Sequence, residues 1–302
     1  MDLIAAEGIE KRFGQLTALR DISLRVRRGE LYGLIGPDGA GKTTFFRILT
    51  TLMPPDGGRA TVDGLDIATD YRRIRAAVGY MPGRFSLYPD LTVKENLEFF
   101  ATLFGTRLED NYDLIRDIYV QIEPFRSRRA GRLSGGMKQK LALCCALIHR
   151  PRVLFLDEPT TGVDVVSRHE FWDMLSGLKR QGITMLVSTP YMDEAVRCDR
   201  IALIQSGRLL SIDTPRGIIE NYPDALFEVR AENMRQLTDE IRKRCSPQSC
   251  FAFGRSLHVS FSHDDVEAPQ RMRAALTAAG CTNLEIAPIT PSIEDCFIQQ
   301  MR

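Results

Sequence analysis

No stretch of the chain approaches the roughly 18 consecutive apolar residues that a membrane-spanning helix requires, so no part of it is expected to cross a bilayer unaided. An excess of one charge is also missing. Forty Lys and Arg stand against 39 Asp and Glu, a formal balance of +1, which gives a polyanion no global attraction and argues against nucleic acid as the partner. Met1-Asp2-Leu3-Ile4 lacks a basic stretch ahead of an apolar core, so no secretory leader is expected. The seven cysteines are scattered, with no Cys-x-x-Cys pair and no histidine at zinc spacing, and are expected to be reduced thiols in a cytosolic protein. Internal repeats and low-complexity tracts are absent too. What remains is an ordinary globular composition, 44% hydrophobic and 26% charged, over 302 residues, enough for a large α/β domain and a smaller companion.

Apolar periodicity orders the first part of the chain. Ile22, Leu24 and Val26 alternate as β structure does, and the apolar run 31–35 ends at a glycine. Phe45, Phe46, Ile48, Leu49 and Leu52 then recur at helical spacing up to Pro54-Pro55. The resulting order is strand, glycine loop, helix. Apolar runs at 153–156, 183–187 and 201–204 alternate with helical segments at 165–179 and 192–197, which predicts parallel strands covered by helices. Residues 91–128 read as helical throughout, an inserted lobe. The composition shifts at Glu220-Asn221-Tyr222-Pro223-Asp224, taken as the domain boundary. Beyond it, strands and helices follow in the order βαββαβ, with Gly254-Arg255 as a two-residue hairpin loop, suggesting a ferredoxin-like accessory domain.

Chemistry concentrates in two places. Gly36-Pro37-Asp38-Gly39-Ala40-Gly41-Lys42-Thr43, followed by Thr44, is G-x-x-x-x-G-K-T between an expected strand and an expected helix. Glycines there let backbone N–H groups wrap phosphates, Lys42 adds a point charge to the β/γ oxygens, and the Thr43 hydroxyl can ligate Mg²⁺. Residues 153–156 form an apolar strand that ends in Asp157-Glu158, at the strand end where an open parallel sheet binds ligands. Asp157 is the candidate for the Mg²⁺ shell. Glu158 is the candidate to orient or deprotonate a water attacking the γ-phosphate.

Leu133-Ser134-Gly135-Gly136-Met137, followed by a helical run, narrows this generic P-loop NTPase pattern. Taken alone, Ser134 and the glycine amides read more readily as a simple helix cap than as an anion site. With the flanking motifs, residues 3–220 resemble an ATP-binding cassette (ABC) ATPase. The resemblance implies an α/β fold with a β-subdomain, a RecA-like core and a helical lobe at about 84–135. The cassette would occupy 1–222 and the α+β accessory domain 223–302. It implies ATP and Mg²⁺ as ligands, with Ser134, Gly135 and Gly136 clamping the γ-phosphate held by a second cassette, so two cassettes close head to tail. Phe13 falls where the family stacks an aromatic on adenine, though a lone aromatic also suits a core. Asp164 matches the loop that touches the partner's site, with Val163 in place of the usual Leu. Tyr80-Met81-Pro82 leads into the segment that in the family links the γ-phosphate to the membrane subunit.

Two positions depart from the family pattern. Gly83 stands where a Gln is expected, and no Gln lies between Gln15 and Gln121 to rescue the alignment. Pro190 stands where a γ-phosphate-sensing His is expected, and His149, His169, His258 and His263 are all remote in sequence. Proline offers no side-chain donor. The expected consequence is intact ATP binding with slow hydrolysis at the chain's own site.

Residues 36–44, 88–97 and 291–298 are similar to those of ATP-binding subunits of ABC-2-type exporters. That similarity implies a separately encoded ABC-2-type membrane permease, a homodimeric or heterodimeric second cassette, and a peripheral place at the inner face of the cell membrane. The permease would dock near Phe85, Leu87 and Tyr88, residues equally suited to core packing. Two other classes compete with this reading: a regulatory nucleotide-binding cassette beside a complete catalytic one, and a soluble ABC ATPase acting on nucleic acid or ribosomes.

Overall fold

The computed structural model describes residues 1–84 and 86–301. The chain divides into two compact units, Met1–Pro215 and Arg216–Arg302. In order, the first carries β1 (Asp2–Phe13), β2 (Leu16–Arg27), β3 (Leu31–Ile35), α1 (Lys42–Leu49), β4 (Gly57–Val62), β5 (Leu65–Asp66), α2 (Tyr71–Ala77) and β6 (Val78–Met81). It continues with α3 (Val93–Leu103), α4 (Tyr112–Tyr119), α5 (Gly135–Leu147), β7 (Val153–Asp157), α6 (Val165–Arg180), β8 (Thr184–Thr189), β9 (Arg200–Gln205) and β10 (Arg208–Asp213).

Two sheets organise this unit. The antiparallel sheet runs β2-β1-β4-β5, and the larger sheet runs β10-β9-β3-β8-β7-β6, parallel from β9 to β6 with β10 antiparallel at its edge. β3, β7 and β8 are buried at every position because both of their faces are covered, which explains why they read as unbroken apolar runs rather than as alternation. β2 does alternate, burying Ile22, Leu24 and Val26 against the shared core. That core continues beneath α1, where Phe46 meets Phe155 edge to face at 6.0 Å.

α1 stops at Leu49, earlier than the apolar spacing predicts. Leu52 and Met53 both turn their N–H back to the Arg47 carbonyl, Thr51 takes a positive φ of 62°, and Leu52 is 56% exposed. The helix therefore closes on a C-terminal turn before the Pro-Pro pair is reached. The lobe is also less continuous than its pattern suggests. α3 opens on a Thr92–Glu95 capping box and ends before Gly105, α4 carries eight more α-helical residues, and 3₁₀ turns at Leu108–Asn111 and Glu123–Phe125 supply the remaining helical spacing. Met192–Arg197 is likewise a 3₁₀ segment.

The second unit holds β11 (Asp224–Arg230), α8 (Met234–Arg244), β12 (Ser249–Phe253), β13 (Ser256–Ser262), α9 (Ala268–Ala278), β14 (Glu285–Pro288) and α10 (Ile293–Gln300), with α7 (Pro215–Glu220) spanning the junction in sequence. Its antiparallel sheet runs β12-β13-β11-β14, so the first and third strands of the βαββαβ order lie side by side at the centre. Val229, Leu257, Val259 and Phe261 form its core with Leu237, Ile241, Met272 and Leu276. Phe253 pairs with Ser256 across the expected hairpin loop, where Gly254 has φ +57°.

Candidate functional site

The loop 36–41 leaves the end of β3 and runs into the first turn of α1. Gly41 at the helix N-cap has φ +106°, and a Cβ there would lie 2.6 Å from the Ala18 carbonyl oxygen. At Gly36 a Cβ would approach the Ile204 carbonyl oxygen to 2.1 Å. The loop is thus wedged between β2 and the end of β9, and only glycine permits these approaches. Gly207, in the turn from β9 to β10, closes the wedge. Its N–H donates to the Ala40 carbonyl at 2.9 Å, and its own carbonyl accepts from Arg20 N–H at 2.7 Å.

Lys42, 3% exposed, donates from Nζ to the Gly36 and Pro37 carbonyls at 2.7 and 2.9 Å and lies 3.1 Å from Glu158 Oε1. Glu158 occupies the left-handed region at φ +50°, a conformation that costs a non-glycine residue and turns its carboxylate back towards the loop. Asp157 is 1% exposed. Burial raises its carboxyl above the ordinary range, while hydrogen bonds from the Ser188 and Thr43 hydroxyls oppose the rise. Burial also pushes the neighbouring Tyr80 phenol up to about 12, and the Asp157 charge adds to that shift.

Thr43 and Asp157 offer a hydroxyl and a buried carboxylate, hard oxygen donors that suit Mg²⁺. Among the described residues no group of three or more His, Cys, Asp or Glu could hold a metal by itself. Such a pair fits an ion that draws its other oxygens from water and phosphate.

Phe13, Gly39, Gly41, Lys42, Thr43, Thr44 and Glu158 line one cavity of about 430 Å³. Leu16, Thr17, Ala18, Arg20 and Ser206 complete its wall, although no motif marks them. The signal for Gly207 and Ser206 was a Ser-Gly turn between two apolar strands, too common to single out. Phe13 is 46% exposed at this wall, so it is not a core residue.

Ser134, Gly135, Gly136 and Asp164 line a different place. Ser134 caps α5, its Oγ accepting from Met137 N–H at 3.3 Å, and both Ser134 and Gly135 are exposed. Asp164 caps α6, accepting from Ser167 N–H at 3.0 Å and from the Ser167 hydroxyl at 2.7 Å. A Cβ on Gly136 would fall 2.7 Å from Ser167 Oγ, so the two helix starts pack directly together. Two helix N-termini with their open N–H groups therefore share one surface, apart from the Lys42 cavity.

Gly83 packs against the acid pair: a Cβ there would lie 3.0 Å from the Asp157 carbonyl oxygen and 3.7 Å from Glu158 Cβ. Pro190 directly follows β8, whose last carbonyl, that of Thr189, accepts the Gly36 N–H at 3.2 Å. Tyr191 sits under the Arg168 guanidinium at 4.1 Å, and Arg168 Nε donates to Glu194 at 3.1 Å, so this segment is tied to α6. A second cavity of about 200 Å³ lies between the sheet edge and the lobe, lined by Met81, Leu87, Phe100, Phe104, Cys145 and His149. Leu87 is 6% exposed and Tyr88 47%; Phe85 lies outside the described residues.

The family model described as ABC transporter matches residues 19–161. A probable multidrug ABC transporter ATP-binding protein of Escherichia coli, YbhF, is 37% identical over 98% of this chain, which spans only 51% of that relative's length. The Nod factor export ATP-binding protein I of Burkholderia lata is 36% identical, covering 96% of this chain and 94% of its own. The daunorubicin resistance ATP-binding protein DrrA2 of Streptomyces coeruleorubidus is 36% identical, covering 98% and 94%. Among solved structures, an ATP-binding subunit of an ABC transporter is 27% identical with a TM-score of 0.66, over 73% of this chain and 93% of that one. A bacterial ABC transporter cassette solved as a dimer is 25% identical with a TM-score of 0.63, over 70% and 98%.

Proposed function

The chain belongs to the ABC transporter family of ATP-binding subunits, and from that premise we propose that it binds Mg-ATP and uses it to power export through a separate ABC-2-type permease, with slow hydrolysis at its own site. Relatives named for multidrug transport, Nod factor export and daunorubicin resistance support the direction of transport. That no helix of the described residues is long and apolar enough to cross a membrane is consistent with a permease on another segment or chain, and with a peripheral place at the membrane's inner face.

Amide groups of Asp38, Gly39 and Gly41 and of the first turn of α1 receive the phosphate oxygens, and Lys42 exchanges its carbonyl and Glu158 contacts for the β/γ oxygens. Thr43 and Asp157 would hold Mg²⁺, which when bound offsets charge on the same oxygens. Phe13 and Leu16 border the cavity where the base would lie. Glu158 accepts a proton from water as the water oxygen attacks the γ-phosphorus and the bond to the β-bridging oxygen breaks. Ser134, Gly135, Gly136 and Asp164 do not line this cavity and serve the triphosphate of a second cassette, so the working form is a dimer. The cavity at Met81 and Leu87 is the dock for a permease helix.

The observation that carries slow turnover is the contact of Gly83 with Asp157 and Glu158, where no side chain is present to hold the attacking water. Pro190 removes a second donor from the end of β8. Losing one preorganised donor at a developing charge costs about 10²–10³ in rate. An intact signature surface lets this chain complete the site of a partner with its own Gln and His, the heterodimeric arrangement. Calorimetry and steady-state turnover on the purified chain test this: Mg-ATP uptake with turnover far below roughly 10 s⁻¹ is expected, and ordinary turnover would overturn it.

A further inference from the structure

We propose that Ser188 is a positioning residue that sets both acids of the nucleotide site at once, an assignment that rests on the Mg-ATP reading above and extends it. β8 lies beside β7 in parallel register, with Asp157 opposite Ser188. Ser188 is completely buried. Its Oγ lies 2.6 Å from Asp157 Oδ1 and 3.0 Å from the Glu158 backbone nitrogen.

Elementary hydrogen-bond chemistry fixes the direction of both contacts. The Glu158 N–H can only donate, so the Ser188 oxygen accepts there, and the single hydroxyl proton is left to point at the Asp157 carboxylate. One hydroxyl therefore fixes the carboxylate orientation of one acid and the backbone of the next. The second contact matters because Glu158 stands at φ +50°, a conformation that persists only where its surroundings hold it. The Ser188 carbonyl also accepts the same N–H at 3.1 Å, so β8 grips this peptide from two atoms of one residue. Gly83, on the other side of the pair, contributes only backbone, so no side chain there duplicates the role.

A group that orients a metal-binding carboxylate through a hydrogen bond changes metal affinity about 10–100-fold on removal. Ser188→Ala is therefore expected to weaken ATP binding about 10-fold in Mg²⁺ while leaving binding in EDTA unchanged, measured by calorimetry on the full chain. Turnover should fall through kcat more than through KM, because the Glu158 N–H keeps only the Ser188 carbonyl of its two acceptors and the backbone that aims the base is held less firmly. Ser188→Thr, which keeps the hydroxyl, should restore the Mg²⁺-dependent part. Ser188→Cys, close in size but a weak donor, should move in the direction of alanine, so a misfolded alanine variant would not hide the answer. Equal weakening with and without Mg²⁺ would overturn the proposal in favour of a merely structural serine, as would wild-type behaviour of both Ala and Cys variants. Wild-type protein that takes up no nucleotide would overturn the Mg-ATP reading together with this one.

Discussion

The Lys42 ammonium and the Glu158 carboxylate lie 3.1 Å apart, so the cation proposed for phosphate and the base proposed for water are each other's partners. Both sit in one cavity wall, and incoming triphosphate competes with Glu158 for the same charge. Glu158→Gln removes the competitor and one negative charge near the phosphates. ATP should bind more tightly while turnover falls about 10²–10⁴-fold with loss of the base, read by calorimetry and phosphate release. Lys42→Met should abolish uptake in the same assay.

Restoring the two missing donors should not be equally easy. Pro190 follows the end of a strand and is half-buried, and Pro190→His is expected to raise turnover towards the 10²–10³-fold that one preorganised donor supplies. Gly83→Gln must place a Cβ 3.0 Å from the Asp157 carbonyl, so the acid pair has to shift before the new amide helps. Single-turnover rates of the two variants should rank histidine above glutamine.

Gly207 lies outside every motif yet braces the phosphate loop. With φ +75° and a Cβ position 2.5 Å from the Ala18 carbonyl, Gly207→Ala should cost about 1–3 kcal/mol of stability and weaken ATP uptake, although it does not line the Lys42 cavity. Urea unfolding and calorimetry on the same sample check both effects.

His149 carries a pH dependence of known sign. Burial holds its imidazole down at about 4, below the ordinary 6.5, while the ring bonds the Val78 carbonyl and stacks on Phe104 at 3.8 Å. The unfolded chain therefore binds a proton that the folded chain refuses. This contribution to stability is complete above about pH 6.5 and is lost as pH falls towards 4. Lowered carboxyls such as Asp56 and Asp113 also lose stability in acid, so the comparison must be with His149→Gln, whose denaturation midpoint should fall less between pH 6.5 and 4.5.

Local pattern made much of this legible. The strand at 31–35 and the 254–255 hairpin could be read because burial on both faces and a leading glycine each leave a mark in a few consecutive residues. Lys42, Thr43, Asp157 and Glu158 could be read because their chemistry is tied to short spacings. Ser188, Gly207 and Arg20 could not, since each acts through a residue far along the chain: Asp157 on the neighbouring strand, Ala18 and Gly207 across the wedge. The end of α1 falls short of the apolar spacing because the backbone bonds that close it, from Leu52 and Met53 to Arg47, depend on a left-handed Thr51 that no apolar spacing announces.

α5 begins with the exposed Gly135 beside the Asp164 turn and finishes at Leu147, two residues from His149 in the wall of the cavity by the lobe. Thirteen residues of α-helix make a strut of about 20 Å, too stiff to absorb a tilt along its length. A tilt of the exposed end about the middle of this rod is carried undiminished to Cys145 and Ala146, which stand in the wall of that cavity.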